Sequence, residues 1–153
     1  VLGYTGIPYF APELFRVARS KDPFKAKQLA KGLQELGEEG AIQVFETEFG
    51  NLLLGAVGQL QFEIVAQRLA TEYKVDAIYD PTEISTARWL TFPDDKARKE
   101  FTSEQSARLG RAVDGNAVYL ASSIYNLQTT IKHWPQVGFH TTREHGQKMA
   151  HAA

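Results

Sequence analysis

Gly55-Ala-Val-Gly-Gln-Leu-Gln-Phe-Glu-Ile-Val-Ala-Gln-Arg-Leu-Ala-Thr-Glu-Tyr-Lys74 is the stretch that decides how the chain is read. The apolar run Leu52-Leu53-Leu54 leads into two glycines, Gly55 and Gly58, and an amphipathic helical pattern follows at once. Glycine suits a sharp strand-to-helix turn because it accepts positive φ and lets two backbones approach closely. At 100° per residue, Phe62, Val65, Ala66, Leu69, Ala70 and Tyr73 form one apolar face. Glu63 near the helix start and Lys74 near its end complement the macrodipole. Leu60 and Ile64 fall off the apolar face, among Gln61, Gln67, Arg68 and Thr71. They predict a cover: either the second half of the chain folds over them, or they dock another domain or partner.

Upstream of this unit, Asp22 is a good N-cap and Pro23 suits the first helical position. Ala26, Leu29, Ala30, Leu33 and Leu36 share one face, with Lys27, Lys31, Glu35 and Glu38 opposite, and Gly40 stops the helix. Gly32 inside it costs about 1 kcal/mol relative to alanine, a sign of close packing. Glu13 to Arg19 reads as an extended stretch, Ala41 to Phe45 as a strand, Phe49 to Asn51 as a turn and Leu52 to Ala56 as the returning strand. Val75 to Tyr79 is a further strand, ended by Asp80-Pro81. The order β-α-β-β-α-β, with two right-handed crossovers, predicts an α+β ferredoxin-like plait: a four-stranded sheet with both helices on one face.

The second half predicts a C-terminal extension of helix, β-hairpin, helix and strand. Glu83 to Phe92 resembles another strand, and Pro93 to Phe101 a charged helix with a thin apolar stripe. Asp114-Gly115-Asn116 marks a hairpin. Ser122 or Ser123 caps a helix bearing Ile124, Leu127, Ile131 and Trp134, Pro135 ends it, and Val137 to Thr142 is a closing strand. The expected divisions are 1–12 as a linker from a missing upstream domain, 13–92 as the plait, 93–145 as the extension packed on it, and 146–153 as a frayed tail.

The 153 residues are enough for one domain with a sizeable core. Zero cysteines exclude a disulfide framework, a thiolate metal site and a cysteine nucleophile, and fit a cytoplasmic setting. No apolar run approaches the ~18 residues of a membrane span. A net charge of −1 gives no global pull toward nucleic acid, but its distribution is uneven. Arg16, Arg19, Lys21, Lys25, Lys27 and Lys31 are opposed within their stretch by Asp22 alone. Such a run is either a solvated face or a contact for an anionic partner, RNA phosphate or an acidic protein surface.

Catalysis is not indicated. Gly55-Ala-Val-Gly58 is neither a Walker loop nor a dinucleotide fingerprint, since no Lys-Ser/Thr pair or third glycine follows at the required spacing. His133, His140, His145 and His151 form no helical i, i+4 pair, and no carboxylates cluster at ligand spacing, so no metal is expected. Glu144-His145 makes an acid-base pair only if a pocket surrounds it.

With these segments in place, the chain resembles the C-terminal region of the bacterial class-II release factors, peptide chain release factor three. The stretches that carry the likeness are Thr5 to Arg16, Asp22 to Leu33, Glu38 to Phe45, Gly55 to Phe62, Glu72 to Val75, Thr86 to Trp89 and Thr142 to His145. The first ~80 residues are also similar to the third domain of elongation factor G, itself a plait, in keeping with the topology rules used above. The resemblance implies a translational GTPase that works on the ribosome and promotes recycling of class-I release factors in termination. GTP and GDP would bind an N-terminal G domain that has no counterpart in these residues, so no nucleotide-binding, catalytic or cofactor residue carries over. What the likeness implies here is a non-catalytic domain contacting ribosomal RNA and protein, and the upstream G and barrel domains through residues 1–15. The basic run and Leu60 and Ile64 are the candidate contact residues, assigned from charge and exposure, not from a motif.

The plait hosts unrelated functions, which leaves two other readings. One is a regulatory domain binding a small molecule at the Gly55–Gly58 turn. The other is an acylphosphatase-like hydrolase, for which Arg19-Ser-Lys-Asp22 is too short and lacks glycine.

Overall fold

The computed structural model describes residues 8–10, 12–47 and 50–144. The first half forms β2 (Leu14–Ser20), α1 (Ala26–Glu39), β3 (Gln43–Thr47), β4 (Leu52–Ala56), α2 (Gln59–Glu72) and β5 (Ala77–Asp80). Their sheet order is β5-β2-β4-β3 with every pair antiparallel, which is the expected plait. Asp22 caps the helical entrance through the Phe24 N–H at 3.0 Å, with Pro23 opening a 3₁₀ turn before α1. Gly40 closes α1 in the left-handed region, φ 87°, and the Ala41 N–H bonds back to Leu36 at 3.0 Å.

The second half repeats the scheme. It contains β6 (Thr86–Thr91), α3 (Asp95–Glu104), β7 (Leu109–Ala112), β8 (Ala117–Ala121), α4 (Ile124–His133) and β9 (Gly138–His140), in the sheet order β9-β6-β8-β7. Numbered within each half, both orders are 4-1-3-2, so the expected extension is a second βαββαβ unit. The strand Thr86–Thr91, grouped with the first plait in the sequence reading, pairs instead with β8 and β9. The halves join through their second strands, β3 and β7, with Phe45 opposite Ala112, giving one eight-stranded sheet. Two short strands, β1 (Pro8–Phe10) and β10 (Thr142–Glu144), pair antiparallel beside it. Residues 8–10, read above as linker, therefore hold a strand; residues 146–153 lie outside the described residues.

Strand alternation shows how the layers stack. Val44, Leu54 and Ala56 pack with Leu33, Leu36, Phe62 and Leu69 of α1 and α2. Leu90, Tyr119 and Ala121 pack with Phe101 of α3 and Leu127 of α4. The β3/β7 register puts these two sets on the same face of the sheet. On the opposite face Phe15, Phe45 and Leu53 of the first unit share a core with Ala87, Trp89, Val118 and Leu120 of the second. All are buried, and no described helix contributes to that core. Such burial requires the sheet to curl so that its two helix-free faces turn inward, with the helix pairs outside.

Candidate functional site

The six basic residues of the run 16–31 do not form one patch. Arg16 alternates onto the helix side of β2, where its guanidinium lies 5.7 Å from the Phe62 ring centre and donates to the Phe15 carbonyl at 2.7 Å. Arg19 is held by Asp80 across the β2/β5 pair at 2.6 Å. Lys25 donates its Nζ to the Lys74 carbonyl at 3.1 Å, tying the start of α1 to the end of α2. Lys21, Lys27 and Lys31 are exposed and have no partner among the described residues. Lys21 lies toward the β5 edge, its N–H bonded to Asp76 at 2.9 Å, whereas Lys27 and Lys31 ride the outer side of α1.

Between the helices Arg68 of α2 binds both Glu39, the last residue of α1, and Glu72 of its own helix, the latter at 2.8 Å. These hydrogen bonds hold both carboxyls below the usual carboxylate range and raise the guanidinium further. The Tyr73 hydroxyl donates to Glu35 at 2.6 Å, which pushes its pKa up to about 12. This is a structural clamp between helices. It also explains Gly32: a Cβ there would meet Leu69 Cδ2 at 2.6 Å.

The Gly55–Gly58 turn does without the positive φ expected of it. Gly58 is extended, φ −152°, with open space around it, so no positive φ is needed. Gly55 is the constrained glycine, because a Cβ there would meet Pro12 Cγ at 2.6 Å. Gln61 finishes the turn: its Oε1 accepts from Val57 N at 2.8 Å and Gly58 N at 3.3 Å, and its Nε2 donates to the Ala41 carbonyl. Pro12 packs against Gly55 and the Gln61 amide bonds the backbone of the turn proposed above as a small-molecule site, while the space beside Gly58 is open.

Leu60 and Ile64 are 65% and 45% exposed, and Val57 beside them is 60% exposed. The expectation that the second half covers them is overturned, because that half extends the sheet from β3 and packs on its other face. The chain enters β2 next to this patch, with Glu13 N–H bonded to the Ala56 carbonyl at 3.0 Å.

His133 Nδ1 lies 2.8 Å from the Thr129 carbonyl, and His140 Nε2 lies 2.8 Å from Thr91 Oγ1. His145 and His151 are outside the described residues, and so is the Glu144-His145 pair as a unit. Among the described residues no three His, Cys, Asp or Glu side chains gather where a metal could bind. No described helix is long and apolar enough to cross a membrane.

One feature escaped the sequence. Between the two helix pairs the β3/β7 seam forms the floor of a groove, with Glu46, Arg111 and Gly115 shared by clefts of about 500 and 210 Å³. Its residues come from α1, β3, β7 and α3, and only the pairing of β3 with β7 brings them together. No local periodicity carries that signal.

The described residues form a tandem ferredoxin-like plait, with α1 and α2 clamped together through Arg68 and an apolar corner exposed at the start of α2. Residues 4–131 match the family described as class II release factor RF3, C-terminal domain, and the chain belongs to that family. It is 68% identical over 149 residues to the peptide chain release factor 3 of Aromatoleum aromaticum (strain DSM 19018 / LMG 30748 / EbN1). That match covers 97% of this chain but 27% of the relative, so the chain spans about a quarter of that protein's length.

Proposed function

We propose that this chain is the ribosome-contacting C-terminal domain of a translational GTPase that promotes recycling of class-I release factors during termination. The observation that carries the reading is the 68% identity over nearly the whole chain to a peptide chain release factor 3. In this reading GTP and GDP bind a G domain elsewhere in the polypeptide, and the domain described here contributes contacts, not catalysis. Its partners are ribosomal RNA and protein, the upstream G and barrel domains, and, indirectly, the class-I factors, all in the cytoplasm. Lys21, Lys27 and Lys31 supply charge to the ribosomal contact, because the remaining three cations of the run are engaged within the fold.

Val57, Leu60 and Ile64 dock the upstream part of the same polypeptide, since the segment leading into β2 runs beside them. A co-sedimentation assay with small ribosomal subunits tests the contact. Lys21→Glu, Lys27→Glu and Lys31→Glu combined in the full-length protein should weaken binding and flatten its salt dependence. Unchanged binding would remove these lysines from the account. Failure of the unaltered protein to bind subunits in any nucleotide state would remove the ribosomal reading.

A further inference from the structure

Phe24 is 95% exposed, more than any other large apolar side chain among the described residues. Its backbone is held in place: it sits in the 3₁₀ turn Pro23–Lys25, and its N–H donates to the Asp22 carboxylate at 3.0 Å. Helical spacing of three and then four puts Lys27 and Lys31, both exposed, on the same outward stripe as the ring. The turn meets the end of α2, where Lys25 Nζ donates to the Lys74 carbonyl and the Lys21 N–H to the Asp76 carbonyl. Around the ring Lys21, Lys25, Lys27 and Lys74 therefore stand against Asp22 and Asp76, with Lys31 a turn further along α1. The next carboxylates are engaged, Glu35 with the Tyr73 hydroxyl and Glu72 with Arg68.

We infer that Phe24 is a stacking platform for one unpaired base of a single-stranded RNA, whose phosphates lie along Lys27 and Lys31. The inference rests on the ribosomal reading above for RNA over DNA, and names a contact point within it. The isolation of the ring selects the occupant. Val57, Leu60 and Ile64 lie at the opposite end of α2, about 20 Å away by helical rise. The other exposed apolar residues, Ile124, Tyr125 and Ile131, belong to α4 in the second unit. A protein partner buries ~800 Å² on each side, around an apolar centre poor in lysine. One ring set among lysines supplies no such centre. A nucleobase needs a single aromatic face, with cations beside it for the flanking phosphates. Duplex bases are already stacked, so the base must come from a single strand.

The test is fluorescence anisotropy of the 153-residue chain with an end-labelled 8-nucleotide oligoadenylate at low salt, with poly-glutamate as competitor. Phe24→Leu keeps the apolar bulk but removes the aromatic face, and should weaken binding about tenfold. Phe24→Trp should bind at least as tightly as the unaltered chain. Neither should move the melting temperature by more than about 2 °C, because the ring is almost wholly in solvent. Lys27→Ala with Lys31→Ala should make the log–log salt slope shallower by about 1.4, two contacts at ~0.7 each. The Phe24 variants should leave that slope as it is, and Lys132→Ala on α4 should change neither affinity nor slope.

Undiminished affinity in Phe24→Leu would overturn the inference, since an apolar pocket accepts leucine and a stacked base does not. So would a salt slope unmoved by the lysine pair, or displacement by poly-glutamate as effective as by unlabelled oligoadenylate. The same variants of the full-length protein in small-subunit sedimentation separate the two readings. Full subunit binding by Phe24→Leu sinks the stacking site and leaves the ribosomal assignment standing. Phe24-dependent oligonucleotide binding by a protein that ignores subunits does the reverse.

Discussion

At the scale of single residues, backbone conformation divides the chain's glycines into those that are needed and those that are not. Gly40 has φ 87° at the end of α1, where an alanine would be forced into the left-handed region. Gly40→Ala should therefore destabilise the protein by about 1–2 kcal/mol, lowering the melting temperature by roughly 2–8 °C. Lys74 is the reverse case, a non-glycine residue at φ 58° just past α2. Lys74→Gly should stabilise by about 1 kcal/mol, a rise in melting temperature that differential scanning calorimetry can read. Gly58→Val, expected from the sequence to strain the turn, should leave the melting temperature within about 2 °C, because the site is extended and open. Two glycines ahead of a helix indicated a tight turn correctly, but not which glycine was constrained. That depended on Pro12, which is adjacent only after β2 pairs with β4. The same holds for the cations: Arg16 and Arg19 look free in the sequence and are taken up by Phe62 and Asp80 once the sheet forms.

Elements were legible where a residue's role is local. The N-cap Asp22, the stop at Gly40 and the buried face of α2 follow from spacing, and the structure buries Phe62, Val65 and Leu69 as the helical period requires. The bonds between elements were not legible, and the Arg68 clamp is the clearest example. Glu39 and Glu72 have folded-state pKa values below their unfolded ones, owing first to hydrogen bonds from Arg68. Depressed carboxyls contribute stability that is present above the unfolded value, near 4.5, and lost as pH falls through the folded value. Arg68→Gln should thus lower stability at pH 7 and flatten its decline below about pH 4.5, since the clamp is no longer there to be titrated away. Urea midpoints measured from pH 7 to pH 3 check this. Parallel acid limbs in the two proteins would mean that these exposed bonds do not persist in solution. The corner formed by Val57, Leu60 and Ile64 belongs to the same scale. Its exposure depends on which elements the fold brings over the start of α2, and none of the described ones covers it.

Across the whole molecule, the half-and-half construction follows from two requirements. A plait leaves its second strand at a sheet edge, with unpaired backbone groups that invite aggregation. It also leaves one face of the sheet bare, and here that face carries Phe15, Phe45 and Leu53. Pairing β3 with β7 satisfies the edge, and curling the sheet buries the bare face against Trp89, Val118 and Leu120. The run Leu52-Leu53-Leu54, apolar on both sides of its strand, was the sequence signal for that second layer. The elements of the second unit were legible one by one, but no sequence pattern states which edges meet, so they read as an extension. This arrangement makes the core between the units common property, and it predicts one cooperative transition. Phe45 sits on the seam strand, fully buried in that core. Phe45→Ala should destabilise by about 3–5 kcal/mol, a large share of the ~5–15 kcal/mol expected of a domain. Because the cavity opens where both sheets contribute, hydrogen exchange in β4 and β8 should accelerate together, and calorimetry should show a single shifted peak. A protein of two independent plaits would respond otherwise. The first unit would melt early, β8 would keep its protection, and the trace would split in two. The joined sheet would then be a contact between neighbours, not one folding unit.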